Sequence, residues 1–405
     1  MSLSLPLHSL PLTSASGINL HPGASDDGWP PPPPVVTRDG TLVQLLKDGE
    51  ALRAAYEAIR HARRIICVEV YIFDSDATGQ RLADLLCRKA IEGVTVYLIY
   101  DSFGCLRTDR AMFQRMQRSG IRVAEFHPLR PWECRFGWRP GNRDHRKLVV
   151  VDEEIAWLGG LNFADEYGGP WIAGETALAK AEPWRDTAVG LRGPAVAELG
   201  TAFKKTWRYL QRGGRIKRCE HIHDGDDIDV LATVACRSSP LRPRLRGAFR
   251  SAERSIDLTM AYFAPDDDLV EELCAAARCG ARVRLMLPSV SDLNLLVAAA
   301  RSYYTRLLEA GVRVFERQQA ILHAKTFVID GYISVVGSTN LDYRSIEYNN
   351  ELSITLRSES FGRQMVQLFE NDIHFAREID LAHWRRRPTR DRLGQWLVSR
   401  ARYLL

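Results

Sequence analysis

Two nineteen-residue stretches of the chain, 144–162 (DHRKLVVVDEEIAWLGGLN) and 322–340 (LHAKTFVIDGYISVVGSTN), carry reactive residues in one common layout. With His145 as origin, Lys147 stands at +2, Asp152 at +7, Gly159 at +14 and Asn162 at +17. With His323 as origin, Lys325, Asp330, Gly337 and Asn340 stand at the same offsets. Residues i and i+2 of a strand project from one face, so each His-x-Lys sets an imidazole beside an ammonium. An imidazole is a nucleophile or a proton carrier near neutral pH, and an ammonium meets the charge of a phosphate. A lone His near a Lys is usually structural or surface; two pairs, each with a matched Asn, point to a site.

These side chains need a scaffold. The apolar run 148–151 reads as a strand, Asp152 with Glu153 and Glu154 as a turn, and 155–158 as a returning strand that brings Asn162 back beside His145. Gly159-Gly160 and Gly337-Ser338 hold no bulky side chain, which suits a backbone passing close to a ligand. A further carboxylate follows each motif: Asp186, 41 residues beyond His145, and Glu351, 28 beyond His323. Either bonds one imidazole nitrogen and leaves the other facing substrate, or is a surface acid at a strand start.

Upstream, 45–64 reads as an amphipathic helix. It is followed by a strand at 65–73, a helix capped by Thr78 with Leu82, Leu85, Leu86 and Ala90 on its apolar face, and a strand at 94–100. The second half repeats this with a strand at 255–263, a helix from about Asp266 and a strand at 283–287, and Tyr71 and Tyr262 end matching strands. The first half carries two extra segments. One is a basic, aromatic loop at 125–143 with Trp132, Phe136 and Trp138, which either touches lipid headgroups or nucleic acid or packs on its own domain. The other is a Gly-rich insert at 167–180. The polar stretch 211–227 reads as the junction between two domains, 39–218 and 219–405, and the Pro-rich residues 1–38 as a disordered lead-in.

The 405 residues suit two cores, and the 45% apolar and 26% charged content is that of a soluble globular chain. No apolar run approaches the roughly 18–20 residues that span a bilayer, and the first residues read poorly as a secretory signal, so the expected location is cytoplasmic. Eight cysteines without a C-x-x-C pair read as reduced thiols, with neither zinc nor a disulfide framework. The net charge of +5 is concentrated at the end of the chain, where residues 376–405 hold eight arginines against three acids. The segment with Leu393, Trp396, Leu397, Ala401 and Leu404 at helical spacing either lies in a membrane interface or packs on the second domain.

These motifs resemble the paired HKD motifs of the phospholipase D superfamily. NRDHRK at 142–147, LPSVSD at 287–292 and VGSTNLDYRS at 336–345 are similar to words of the bacterial cardiolipin synthases. The resemblance runs from about Gly40 to the C-terminus and, without the N-terminal membrane spans of one type, points to the short, peripheral type. It implies an α/β fold of two tandem domains, each a β-sheet flanked by helices, packed as a pseudo-dimer around one cleft. It further implies that His145 attacks phosphorus to form a phosphohistidine while His323 serves as acid and base. Lys147, Lys325, Asn162 and Asn340 would hold the non-bridging oxygens, Asp152 and Asp330 the turns, and Asp186 and Glu351 the imidazoles, in an order left open. No metal or cofactor is expected. The implied reaction makes cardiolipin from phosphatidylglycerol; the alternatives are hydrolysis to phosphatidic acid, a metal-independent nuclease, and a membrane-surface scaffold. Expected partners are phospholipids and the cytoplasmic face of the bacterial membrane, bound peripherally, with no nucleic acid; the oligomeric state is open.

Overall fold

The computed structural model describes residues 29–133, 138–139, 141–168, 184–213, 220–224, 227–235 and 241–400. Two mixed sheets form its frame. The first runs Leu42–Lys47, Thr187–Arg192, Ile155–Gly159, Leu148–Val151, Ile65–Val70, Thr95–Asp101 and Arg122–Phe126, with Val35–Val36 added at one edge. The second repeats that order with Ile228–Thr233, Asn349–Arg357, Ile333–Gly337, Lys325–Ile329, Ser255–Met260, Arg282–Pro288 and Arg313–Arg317. In both, strands joined through helices pair in parallel and strands joined by tight turns pair antiparallel. The sequence repeat is thus a structural one.

The strands are buried on both faces, which is why they read as apolar runs rather than alternations. Along Leu148–Val151, Val149 and Val151 face the helices Glu50–His61, Ala77–Ile91 and Arg110–Arg118, whereas Leu148 and Val150 face the other way, toward the helix Ala195–Arg212. That second layer also holds Val336, Leu352, Ile354 and Leu356 of the other half, so one apolar core joins the two sheets. Continuous burial misleads the helix reading of 45–64: Leu42–Lys47 is a strand and the helix is Glu50–His61. Asp76, not Thr78, caps the next helix, accepting from the Gly79 amide, because its side chain stands before the first turn rather than inside it. The Pro-rich lead-in also ends earlier than expected. Val35–Val36 is a strand, and the carbonyls of Pro32 and Pro33 accept from Gln44 and Gln364. Residues 1–28 lie outside the described part.

Among the described residues no helix is long and apolar enough to cross a membrane. Cys67, Cys87, Cys105 and Cys274 are free and buried, and Cys279 is free and exposed.

Candidate active site

Each motif strand ends where the two halves meet. Arg143–Asp144 pairs in parallel with Asn349 and Asn350 of the second half, and the His145 amide donates to the Asn350 carbonyl at 2.9 Å. The mirror contact places Arg185 against Leu322, with the His323 amide donating to the Arg185 carbonyl at 2.8 Å. The next residues along these strands are the two acids, so each histidine receives a carboxylate from the opposite half.

His145 Nδ1 lies 3.1 Å from both carboxylate oxygens of Glu351. His323 Nδ1 lies 2.8 Å from Asp186 Oδ2. With Nδ1–H donating to the acid, Nε2 of each ring is left to react. Lys147 Nζ donates to the carbonyl of its own His145 at 2.7 Å and lies over the Tyr71 ring. Lys325 Nζ likewise bonds the His323 carbonyl and lies 2.8 Å from His323 Nδ1. Since that nitrogen gives its proton to Asp186, the ammonium contributes charge there rather than a bond. Both His-Lys pairs are almost wholly buried and near enough to act on one another electrostatically.

The two carboxylates differ. Burial raises Asp186 to about 6 against the opposing pull of Lys325. Burial also pushes Glu351 upward, but His145, Lys147 and the Ser338 hydroxyl outweigh it and leave its pKa below the usual value. Burial, with Lys147 adding to it, lowers His145; burial with Lys325 and Lys147 lowers His323 much further. Burial also lowers Lys147 to about 7 and Lys325 to about 8. A phosphate anion entering this cluster reverses the like-charge part of those shifts.

The small residues have a different job from the one expected. A Cβ on Gly160 would stand 2.1 Å from Asp186 Oδ1, and one on Gly337 2.1 Å from Ser353 Oγ. They admit the strands that carry the acids, not a ligand. Asp152 and Asp330 are turn residues with positive φ, as expected, and each also clamps the start of a strand. Asp152 accepts from the amides of Arg63, Arg64 and Ile65, and Asp330 from those of Glu253, Arg254 and Ser255. Asn162 is held by the Ile72 amide and the Tyr167 hydroxyl, not by His145. Asn340 is buried, and its Oδ1 lacks a partner among the described residues.

Sequence reasoning missed several neighbours. The Tyr167 hydroxyl lies 3.5 Å from His323 Nε2, and the Trp184 ring packs 5.3 Å from that imidazole. Tyr167 opens the stretch read as an insert, 167–180; residues 169–183 lie outside the described residues, and Trp184 follows them. Tyr71 and Tyr262 present ring edges to His145 and His323, and Tyr262 donates to Asp292 at 2.8 Å. The matching of these tyrosines was visible as repeat symmetry. In the basic loop Trp132 is exposed, whereas Trp138 packs on His127; Phe136 is outside the described residues.

Comparisons with known proteins bear on the family and the fold. The family described as "Cardiolipin synthase, PLD-like domain" matches residues 56–167 and 245–373. The cardiolipin synthase of Geobacillus thermodenitrificans (strain NG80-2) is 32% identical over 372 residues, covering 89% of this chain and 71% of that protein. Cardiolipin synthase A of Pseudomonas entomophila (strain L48) is 35% identical over 346 residues, 83% and 69% of the two. Among solved structures, the phosphatidylserine synthase of Haemophilus influenzae Rd KW20 superposes with a TM-score of 0.67 at 14% identity, covering 93% of this chain and 97% of that one, a likeness of fold.

Proposed function

Because the chain belongs to the cardiolipin synthase family of phospholipase D-like proteins, we propose that it transfers a phosphatidyl group between two phosphatidylglycerol molecules, yielding cardiolipin and glycerol. In the first step His145 Nε2 attacks phosphorus and the bond to the glycerol oxygen breaks. His323 gives that oxygen a proton, and a phosphohistidine remains. In the second, His323 takes the proton of the incoming glycerol hydroxyl, whose oxygen attacks phosphorus and breaks the N–P bond. Lys147 and Lys325, together with Asn340 and Asn162, meet the charge of the non-bridging oxygens. Water as acceptor gives phosphatidic acid instead.

The observation that carries the division of labour is the crossed, unlike pair of acids. Glu351 stays ionised and supports the positive ring that His145 becomes when it bonds phosphorus. Asp186, raised to about 6, shares a proton with His323 near neutral pH, as an acid–base pair must. The same reading divides the chain into repeats near residue 218.

It also places the protein peripherally on an anionic membrane surface. Leu393, Trp396 and Leu397 of the helix Thr389–Arg400 are more than half exposed among arginines. Val398 of that helix packs against the cluster of Ala264, Leu296 and Ala299, as does Tyr262, the neighbour of His323. Phosphatidylglycerol labelled in its headgroup and in its acyl chains, presented in vesicles, tests the reaction. Cardiolipin carrying the four acyl chains of two phosphatidylglycerols, with release of labelled glycerol, supports it; phosphatidic acid as the only lipid product contradicts it. Pelleting with anionic but not neutral vesicles checks the surface.

A further inference from the structure

The two halves differ beneath their lysines. Below Lys147, between the first sheet and the helix Glu50–His61, the cavity measures only about 30 Å³. Below Lys325, between the second sheet and the helix Leu241–Arg250, a cavity of about 340 Å³ opens. These are matching places. Trp157 is paired with Gly190 in the first sheet, and Val335 with Thr355 in the second. Trp157 and Val335 both stand twelve residues beyond the motif histidine.

The indole of Trp157 lies over Gly190, its Nε1 3.1 Å from where a Cβ would be, and so fills the first half's space. The second half puts a smaller side chain at that position and leaves the space open. Its wall is largely apolar, with Leu231, Leu245, Met260, Phe327 and Val335 among its lining. It extends along the strand Asn349–Arg357 from Ser353 to Arg357, roughly 13 Å at strand rise.

We propose that this cavity takes one acyl chain of the phospholipid whose phosphate is held at Lys325. The proposal rests on the reading of the site as a phospholipid one. An apolar chain is covalently tied to that phosphate, and the apolar space begins at the lysine that grips it. Burying methylenes there converts chain length into binding, whereas the sealed first half offers no second pocket. The enzyme therefore reads one chain of one substrate and leaves the others to the bilayer or micelle.

The first half supplies the test. Val335→Trp with Thr355→Gly copies the pair that seals its space. Dihexadecanoyl and dihexanoyl phosphatidylglycerol are presented in the same detergent micelles, so that surface attachment contributes equally. The ratio of kcat/KM for the long over the short substrate is expected to fall about tenfold or more, the worth of two buried methylenes. A double variant that melts cooperatively and keeps the wild-type ratio overturns the proposal.

A second readout is independent of turnover and of the variant's folding. Wild-type protein is expected to bind the fluorescent fatty acid cis-parinaric acid saturably and to release it to dihexadecanoyl rather than dibutanoyl phosphatidylglycerol. Absence of saturable binding, or equal release by both lipids, overturns the pocket. Because this readout needs no catalysis, a protein that binds the probe but transfers nothing refutes the proposed reaction and leaves the pocket standing.

Discussion

The two halves share a strand order and a motif, and they differ in what surrounds each histidine. His145 leans on Glu351, which the Ser338 hydroxyl also contacts; His323 leans on Asp186, which Gly160 admits by having no side chain. Beside His145 stands Arg146, whose guanidinium bonds Thr206 and the carbonyls of Glu351 and Thr233 and lies 3.6 Å from buried Glu69, near Asp144. The matching positions in the second half are Ala324, Thr259 and Leu322. The first half is sealed under its lysine and the second is open. Duplication supplies two equivalent reactive groups, and their roles diverge through burial, acid type and packing.

Four changes test how far the halves differ. The largest is loss of a histidine. His145→Ala is expected to leave no transfer, whereas His323→Ala loses about 10²–10⁴-fold with natural substrate but still cleaves a p-nitrophenyl phosphodiester, whose leaving group needs no proton. Equal loss in both variants on the activated ester removes the distinction. Next, Gly160→Ser makes the first half resemble the second at this position, and its Cβ pushes Asp186 from His323. About a 100-fold fall in kcat is expected, against a few-fold for Ser338→Gly, which removes one hydrogen bond to Glu351.

The third change is pH. Asp186 accepts from His323 only when ionised, so kcat/KM is expected to fall as pH drops below about 6. The lysines grip phosphate only when protonated, so it also falls as pH rises through about 7, where Lys147 loses its charge, and about 8, where Lys325 does. The alkaline limb of kcat lies higher, because bound phosphate holds the ammoniums charged. Asp186→Asn should remove the acid limb near 6, and Glu351→Gln should leave its position in place. Smallest is a stability contrast. Arg146→Ala is expected to cost about 3 kcal/mol in urea unfolding by stripping a buried network, against about 1 kcal/mol for Thr259→Ala at the position matching Glu69.

Much of this was legible in the sequence because repeats expose what single motifs hide. The offsets shared by His145 and His323 located the strands and the turns at Asp152 and Asp330, and both candidate acids were found in spite of their unequal distances, 41 and 28 residues beyond the histidines. The crossing of those acids was not legible, because it depends on strand contacts between residues 206 and 137 positions apart. The clamping role of the two turn aspartates was hidden for the same reason. Gly160 looked like room for a ligand because a missing side chain does not name its neighbour. The end of the strand Leu42–Lys47, from Leu45 on, reads as helix because a segment buried on both faces has no period to read. Trp157 and Val335 stood in matching columns throughout, but the cavity between them became visible only when their volumes were placed under a lysine.

Two like motifs do unlike work if only one of them carries the transferred group, which rapid quenching of the wild-type protein with phosphatidylglycerol labelled in its acyl chains reveals. Digestion and mass spectrometry at neutral to alkaline pH, where phosphohistidine survives, locate the bound group. A phosphatidyl group is expected on the peptide containing His145, formed and discharged at the rate of turnover. The same group on His323, or a steady-state reaction with no covalent species on either histidine, would contradict it.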